Sequence, residues 1–434
     1  MLGRWTPETT KPMTSTPADT GLITTADGVP LKHSLARKER RKKITALLLV
    51  APLLAFIGIT FIFPIGQMLG RSVDNPVLSR LMPETMAALE AWDETSGQLP
   101  DESVFAAAAK EFKAGRKNKT AGKVSTRLNY DLSGAKSMVK KTARKISKLE
   151  SGPYKEDFIK IDKRWGEVKT WSTFKRAGRR YTPAFYLAAL DYTYAPTGEI
   201  VKQDVKRKIY VKLFLRTLWV SLAITVACLL LAYPVAYILA IVPTRLSNLL
   251  IIMVLLPFWT SLLVRTTSWI VLLQSKGVIN DVLVWTGIID DENRLSMIYN
   301  MTGTMIAMIQ ILLPFMILPL FSVMKTIPQY HIRAAKSLGA SPAKAFWTVY
   351  FPQTLPGIGA GSLLVFILSV GYYITPALVG GRTGMLISNF IAHHMQRSLN
   401  WGLAAALGGI LLAGILILYW LYNRLVGIDK MRLG

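Results

Sequence analysis

Six runs of apolar residues stand out from an otherwise polar chain: 44–69, 213–242, 249–273, 301–324, 357–379 and 402–421. Each is close to the ~20 residues that a helix needs to cross the hydrocarbon of a bilayer. None contains Asp or Glu, and only Arg216, at one end, and Arg265, inside a run, carry charge. The pattern predicts an all-α membrane protein with six transmembrane helices. The first run follows more than forty mostly polar residues. It therefore reads as an uncleaved anchor; the apolar core of a cleavable signal peptide is shorter and nearer the first residue.

The segments between the runs give the organisation. Residues 1–43 read as a disordered stretch, rich in Thr, Pro and Gly through residue 30, followed by a basic cytoplasmic tail. Residues 44–69 form the first membrane helix and 70–212 a large insert. Residues 213–425 form a core of five further helices with a loop at 325–356, and 426–434 a second tail. Within the insert, 84–92, 103–112 and 135–149 have helix-favouring composition, which predicts a mostly helical subdomain. Phe112 and Tyr130 are the only aromatic residues between Ala106 and Gly152, which predicts a modest core.

Lys and Arg near the membrane ends orient the chain. Arg37, Lys38, Arg40, Arg41, Lys42 and Lys43 put the N-terminus in the cytoplasm, and six crossings return the C-terminus there, with Arg424, Lys430 and Arg432. The loop with Lys325, Arg333, Lys336 and Lys344 falls inside. The loop with Asp281, Asp290, Asp291 and Glu292 falls outside, as does the insert.

Charge and candidate chemistry narrow the function. Of 434 residues, 51% are hydrophobic and 18% charged, and the formal charge is +26. Part of that excess is the positive-inside bias, and much of the rest lies in the insert, most densely across 110–148. Solvated helical faces or a surface for a partner protein account for it better than nucleic-acid binding does. Cys228 is the only cysteine and lies in an apolar run, so intrachain disulfides and cysteine-based metal sites are excluded. His393 and His394 point apart on a helix and have no nearby carboxylate, which argues against a metal site. No Gly-x-x-x-x-Gly-Lys-Ser/Thr occurs, and no nucleophile–base pair has recognisable spacing. The chain reads as neither an ATPase nor any other enzyme, and binds no cofactor of its own.

The loop at 325–356 carries the most specific pattern. Gly339 suits the left-handed residue that ends a short helix, and Ser341-Pro342 suits the N-cap and first position of a second. Pro352 and Pro356 are expected to break that second helix before the next apolar run. Arg333-Ala334-Ala335, three residues, Gly339-Ala340-Ser341, and then Val349-Tyr350-Phe351-Pro352 resemble the EAA loop of ABC-importer permeases. Arg333 stands where that family has Glu, and Val349 and Phe351 replace Ile and Leu. Four more stretches extend the likeness over about 213–425: Arg216-Thr-Leu-Trp-Val-Ser-Leu, Leu256-Pro-Phe-Trp-Thr-Ser, Gly371-Tyr-Tyr-Ile-Thr-Pro-Ala and Asn400-Trp-Gly-Leu-Ala. Together these resemble the spermidine/putrescine-type permeases of the type I importer superfamily, whose first external loop is usually much shorter than this insert.

The resemblance implies the six-helix permease fold in a bacterial inner membrane. It also implies a cytoplasmic coupling loop, here Arg333, Ala334, Ala335, Gly339, Ala340, Ser341 and Pro352, docked on an ATPase subunit dimer that binds ATP and Mg. A second homologous permease subunit and an external solute-binding protein complete the machine, which moves a small-molecule solute, a polyamine, by alternating access. Trp259, Arg265, Tyr372 and Tyr373 are the candidates for the path: Arg265 is an ionisable group at membrane depth, and the aromatic faces suit an alkylammonium. Arg265 is equally compatible with a structural pairing to a nearby carbonyl or to Gln310, and the aromatic residues with bundle packing. Because these helices offer no carboxylate, an amino-acid derivative or opine stays open as solute, as does a non-transporting membrane scaffold.

Overall fold

The computed structural model describes residues 31–195, 198–205 and 207–426. The disorder expected at 1–30 and the tail expected beyond 426 lie outside the described residues. The chain divides into two units, Met1–Gln67 and Met68–Gly434. The described part of the first is helical from Leu31, with a π-helical turn at Gly58–Ile62, and belongs to an apolar helix traced over Glu39–Arg71.

Four further helices are long and apolar enough to cross a membrane: Tyr210–Ile241, Met301–Thr326, Pro342–Gly371 and Trp401–Arg424. The third apolar run departs from expectation. It is a bent pair, Thr244–Trp259 and Leu262–Trp285, meeting at 93°. Pro257 explains the break: it has no N–H, and its ring clashes with the carbonyl one turn earlier. The α-helix accordingly ends at Leu255, a 3₁₀ turn covers Leu256–Trp259, and Thr260 and Ser261 are extended.

Two expectations about the fifth run are also corrected. Pro352 and Pro356 do not break the helix that starts at Pro342; it continues as one 30-residue helix to Gly371. A π-helical turn, Phe346–Tyr350, absorbs Pro352: the Phe351 N–H bonds back five residues to the Phe346 carbonyl, so the ladder widens just ahead of the ring. The turn at Gly58–Ile62 precedes Pro64 in the same register, with the Phe63 N–H on the Gly58 carbonyl. Conversely, the helix expected to reach residue 379 stops at Gly371, and a short helix, Ile374–Val379, follows. Pro376 cannot donate to the Tyr372 carbonyl four residues back, and the chain opens there.

The core of the bundle forms where Val220, Ile224, Cys228, Ala232 and Ala236, spaced one helical turn apart, meet Met308, Leu312, Met316 and Leu320. The fifth-run helix closes against the same face. At Gly357 a Cβ would stand 3.2 Å from the Leu320 Cα, so the two backbones can approach only without one.

The insert is mostly helical, as expected, but its core is not modest. Phe105, Phe112, Phe158, Trp165, Trp171 and Phe174 are all 1% exposed or less and pack on one another, Phe105 and Trp171 edge-on with centroids 4.6 Å apart. Most of these rings come from 158–174, beyond the stretch whose aromatic poverty suggested a small core. Both indoles are satisfied: Trp165 Nε1 donates to Thr142 Oγ1 at 2.9 Å, and Trp171 Nε1 to the Trp165 carbonyl at 2.9 Å. Two carboxylates hold helix starts from a distance. Glu111 accepts from the Glu84 and Thr85 backbone, and Glu102 from that of Tyr154 and Lys155. A two-stranded antiparallel hairpin, Tyr192–Tyr194 with Ile200–Lys202, leads towards the second span.

Candidate functional site

Three places carry features that folding alone does not require. The first is the loop between the fourth and fifth apolar runs. Gln329–Ser337 is a helix, and Gly339 follows at φ +89°. The Gly339 N–H bonds to the Lys336 carbonyl and the Ala340 N–H to that of Ala335, each at 3.0 Å, which closes the helix end. Ser341 Oγ accepts from the Lys344 N–H at 3.3 Å and starts the next helix at Pro342. Arg333 and Ala334 are exposed, Ala335 and Ala340 half-buried, and Ser341 exposed. Leu338 is 89% exposed, and Tyr330 and Trp347 project nearby on the same loop with most of their surface free. These three apolar side chains were not singled out in the sequence, where single exposed hydrophobics have no signature.

The second is the pair of helix breaks. Arg265, on the far side of the elbow at Thr260–Ser261, folds its guanidinium back. Nη2 donates to the carbonyls of Pro257 and of Thr260, the latter at 3.2 Å, and the guanidinium lies 5.9 Å from the centre of the Phe258 ring. The Pro257 carbonyl also takes the Thr260 N–H of the 3₁₀ turn at 3.2 Å, whereas the Thr260 carbonyl lies beyond the helix end. Of the two structural pairings open in the sequence, the carbonyl is the one made; Gln310 accepts instead from Trp269 Nε1 at 3.2 Å. Trp259 is 90% exposed on the near side of the elbow.

The opening at Tyr372–Tyr373 faces similar chemistry. The Tyr372 carbonyl freed by Pro376 accepts from Ser388 Oγ at 2.6 Å, and the Tyr373 carbonyl from Asn389 Nδ2 at 2.7 Å. The two breaks adjoin, because Leu262–Leu273 packs on Ile374–Val379 with Thr266 Oγ1 3.4 Å from Thr375 Oγ1. The fold thus gathers Arg265, Tyr372 and Tyr373 into one neighbourhood of interrupted backbone.

The third is where the insert meets the bundle. Asp191, buried at 2% exposure, accepts from the N–H groups of Ile209, Tyr210 and Val211 at 3.0, 3.0 and 2.9 Å. A carboxylate from the insert therefore caps the start of the Tyr210–Ile241 span, where the helix dipole favours negative charge. Eighteen residues separate the cap from its first partner, so no capping pattern is visible in the sequence. Beside it lies a cavity of about 370 Å³, lined from both the insert and the bundle. His394, on its wall, contacts the Tyr210 hydroxyl through Nε2 at 2.9 Å and Ser398 Oγ through Nδ1 at 2.8 Å. Burial and the neighbouring His393 lower its pKa to about 4, so the ring is neutral near pH 7.

Comparison with known proteins agrees with this architecture. The profile of the family described as "binding-protein-dependent transport system inner membrane component" matches residues 217–427. The spermidine/putrescine transport system permease protein PotB of Salmonella typhimurium is 34% identical over 221 residues, covering 50% of this chain and 76% of that protein. PotB of Escherichia coli is 35% identical over the same length, covering 50% and 80%. A crystal structure of a bacterial ABC transporter involved in the import of alginate aligns with 17% identity over 51% of this chain and 81% of that one, with a TM-score of 0.41. The matched region holds both helix breaks and the loop around Gly339 and leaves the insert outside it. The chain belongs to the inner-membrane component family of binding-protein-dependent transport systems, as an ABC-importer permease of the spermidine/putrescine type.

Proposed function

We propose that this chain is the membrane subunit of an ATP-driven importer for polyamines, working with a second permease subunit, an ATPase dimer and an external binding protein. Both termini and the loop around Gly339 face the cytoplasm, and the insert faces outward. Exposed Tyr330 and Leu338, each one helical turn from Ala334, and Trp347 farther along the loop offer the apolar anchors that a groove on the ATPase would take up. ATP and Mg bind on that ATPase, and its closure moves the loop. The Pro342–Gly371 helix carries this motion without interruption from the loop into the bundle, which alternates between inward-open and outward-open states.

The observation that carries the solute class is the neighbourhood of interrupted backbone. Ammonium groups can be held by carbonyls as well as by carboxylates, and helix breaks are where a membrane protein has carbonyls to offer. Arg265 occupies one such set in this conformation, over an aromatic face, much as an alkylammonium would. The missing carboxylates are therefore no bar to a dication, and the acids a polyamine also needs come from the second permease subunit. The charge of Arg265 favours one second reading, a zwitterionic amino-acid derivative or opine. Thermal-shift screening of the cognate binding protein separates the two. Stabilisation by putrescine or spermidine supports the polyamine reading, and stabilisation by opines or amino acids alone replaces it.

A further inference from the structure

The cavity of about 370 Å³ between the insert and the bundle has no part in the solute path described above. Its volume lies in the range of small-molecule sites. It is lined by insert helices, the hairpin, the start of the Tyr210–Ile241 span and the segment before Trp401. Arg127, Arg176 and Arg207 reach its wall; Arg127 pairs with Asp131 and Arg176 lies 3.7 Å from Glu94, and the histidine on the wall is neutral.

Arg127 is the centre of this arrangement. It is 4% exposed, and its guanidinium is fixed on two sides: Nε donates to Asn75 Oδ1 at 2.6 Å and Nη1 to Asp131 Oδ2 at 2.6 Å. The Phe185 ring lies 5.4 Å beneath it. Asn75 is in turn held by the Ala177 carbonyl at 2.6 Å. Arg127 Nη2 makes no further hydrogen bond among the described residues. Asn400, also on the cavity wall, is 4% exposed. Its Oδ1 accepts from the Leu403 N–H at 3.2 Å, and its Nδ2 is likewise without a partner among the described residues. These two donors, one of them on a guanidinium, open onto the cavity, and the exposed Arg207 at its rim adds a positive charge.

We propose that this cavity is a binding site for a small organic carboxylate, held by Arg127 Nη2 and Asn400 Nδ2 with Arg207 at the rim. A guanidinium N–H makes a charge-assisted bond to a carboxylate that a neutral hydroxyl does not match. The occupant would touch insert and bundle together, beside the Asp191 cap, and so tie the insert to the ends of the Tyr210–Ile241 and Trp401–Val426 helices. Its arrival from outside the cell rests on the topology proposed above, but binding itself does not.

The test is thermal unfolding of the assembled transporter in nanodiscs with succinate, glutamate or citrate, and with glucose and putrescine as comparators. At least one carboxylate raises the unfolding temperature saturably, and the comparators leave it unchanged. Asn400→Asp keeps the Oδ1 cap but turns the open donor into a repelling carboxylate, and it raises the half-saturating concentration by at least about tenfold, the loss of one charge-assisted bond. Arg207→Glu, at the exposed rim, does the same and serves if Asn400→Asp fails to assemble. The proposal is overturned if no carboxylate shifts the transition, if glucose or putrescine shifts it equally, or if the shift survives in an assembled variant. Polyamine uptake in the absence of carboxylate stays intact in Arg207→Glu, so failure here and failure of the transport reading are distinct results.

Discussion

Gly339→Val should uncouple the permease from its ATPase without unfolding it. The residue sits at φ +89°, and a Cβ built there meets nothing within 4 Å. Steric conflict with neighbours therefore contributes nothing, and the cost is that of placing an L-residue in the left-handed region, ~1–2 kcal/mol. That energy reduces the population of the turn by roughly 5–30-fold. The strain stays local, because the helix closed by Gly339 has no buried residue and touches the bundle core through half-buried Ile332, seven residues before Gly339. The bonds put at risk are Gly339 N–H to Lys336 and Ala340 N–H to Ala335, which set the angle between the two loop helices and the position of Leu338. Asn, which tolerates this conformation, should recover most of the loss. The assay is uptake together with the stoichiometry of co-purifying ATPase, with membrane insertion as the control. Full uptake and stoichiometric ATPase with Gly339→Val would refute the reasoning. Equal impairment by Asn and Val would refute its conformational basis.

Other outcomes follow from the same geometry. Asp191→Ala strands three N–H groups at the start of a span, and should lower the stability of the assembled complex by roughly 2–3 kcal/mol, read as an earlier thermal transition; Asp191→Asn should lose less. Arg265→Ala leaves the Thr260 carbonyl open, whereas Arg265→Lys keeps a charge but not the planar fork. Uptake that survives in Lys and fails in Ala assigns Arg265 to the path, while equal loss of assembled complex in both makes it a structural cap. In a Cys228→Ala background, a cysteine replacing exposed Ser137 should react with an impermeant reagent in intact spheroplasts, and one replacing exposed Ser337 only after lysis; the reverse pattern overturns the orientation.

The fold was largely legible because a bilayer imposes length and composition on each span, and the apolar runs announce both. What the runs concealed was continuity. Pro257, Pro352 and Pro376 look alike in sequence, yet one bends a span by 93°, one is absorbed by a π-helical turn and one opens a helix at Tyr372. The Tyr372 carbonyl that Pro376 strands finds a donor in Ser388, and Arg265 holds the elbow after Pro257; these donors lie 16 and 8 residues from the carbonyls they serve. The turn at Gly339 and the cap at Ser341 were readable because their partners are local. Asp191, Arg127 and the cavity between insert and bundle were not, since each depends on contacts between segments that are far apart in sequence. The size of the insert core was misjudged because most of its rings lie in 158–174, outside the stretch whose composition was weighed.

Uptake of labelled putrescine and spermidine into proteoliposomes tests the central claim most directly. The vesicles would hold this chain with its second permease subunit and ATPase, with binding protein outside and ATP inside. Accumulation that requires both ATP and the binding protein, and that unlabelled polyamine but not an opine suppresses, is the predicted result. A complex that assembles and hydrolyses ATP yet accumulates neither amine, or that accumulates an opine instead, would contradict it.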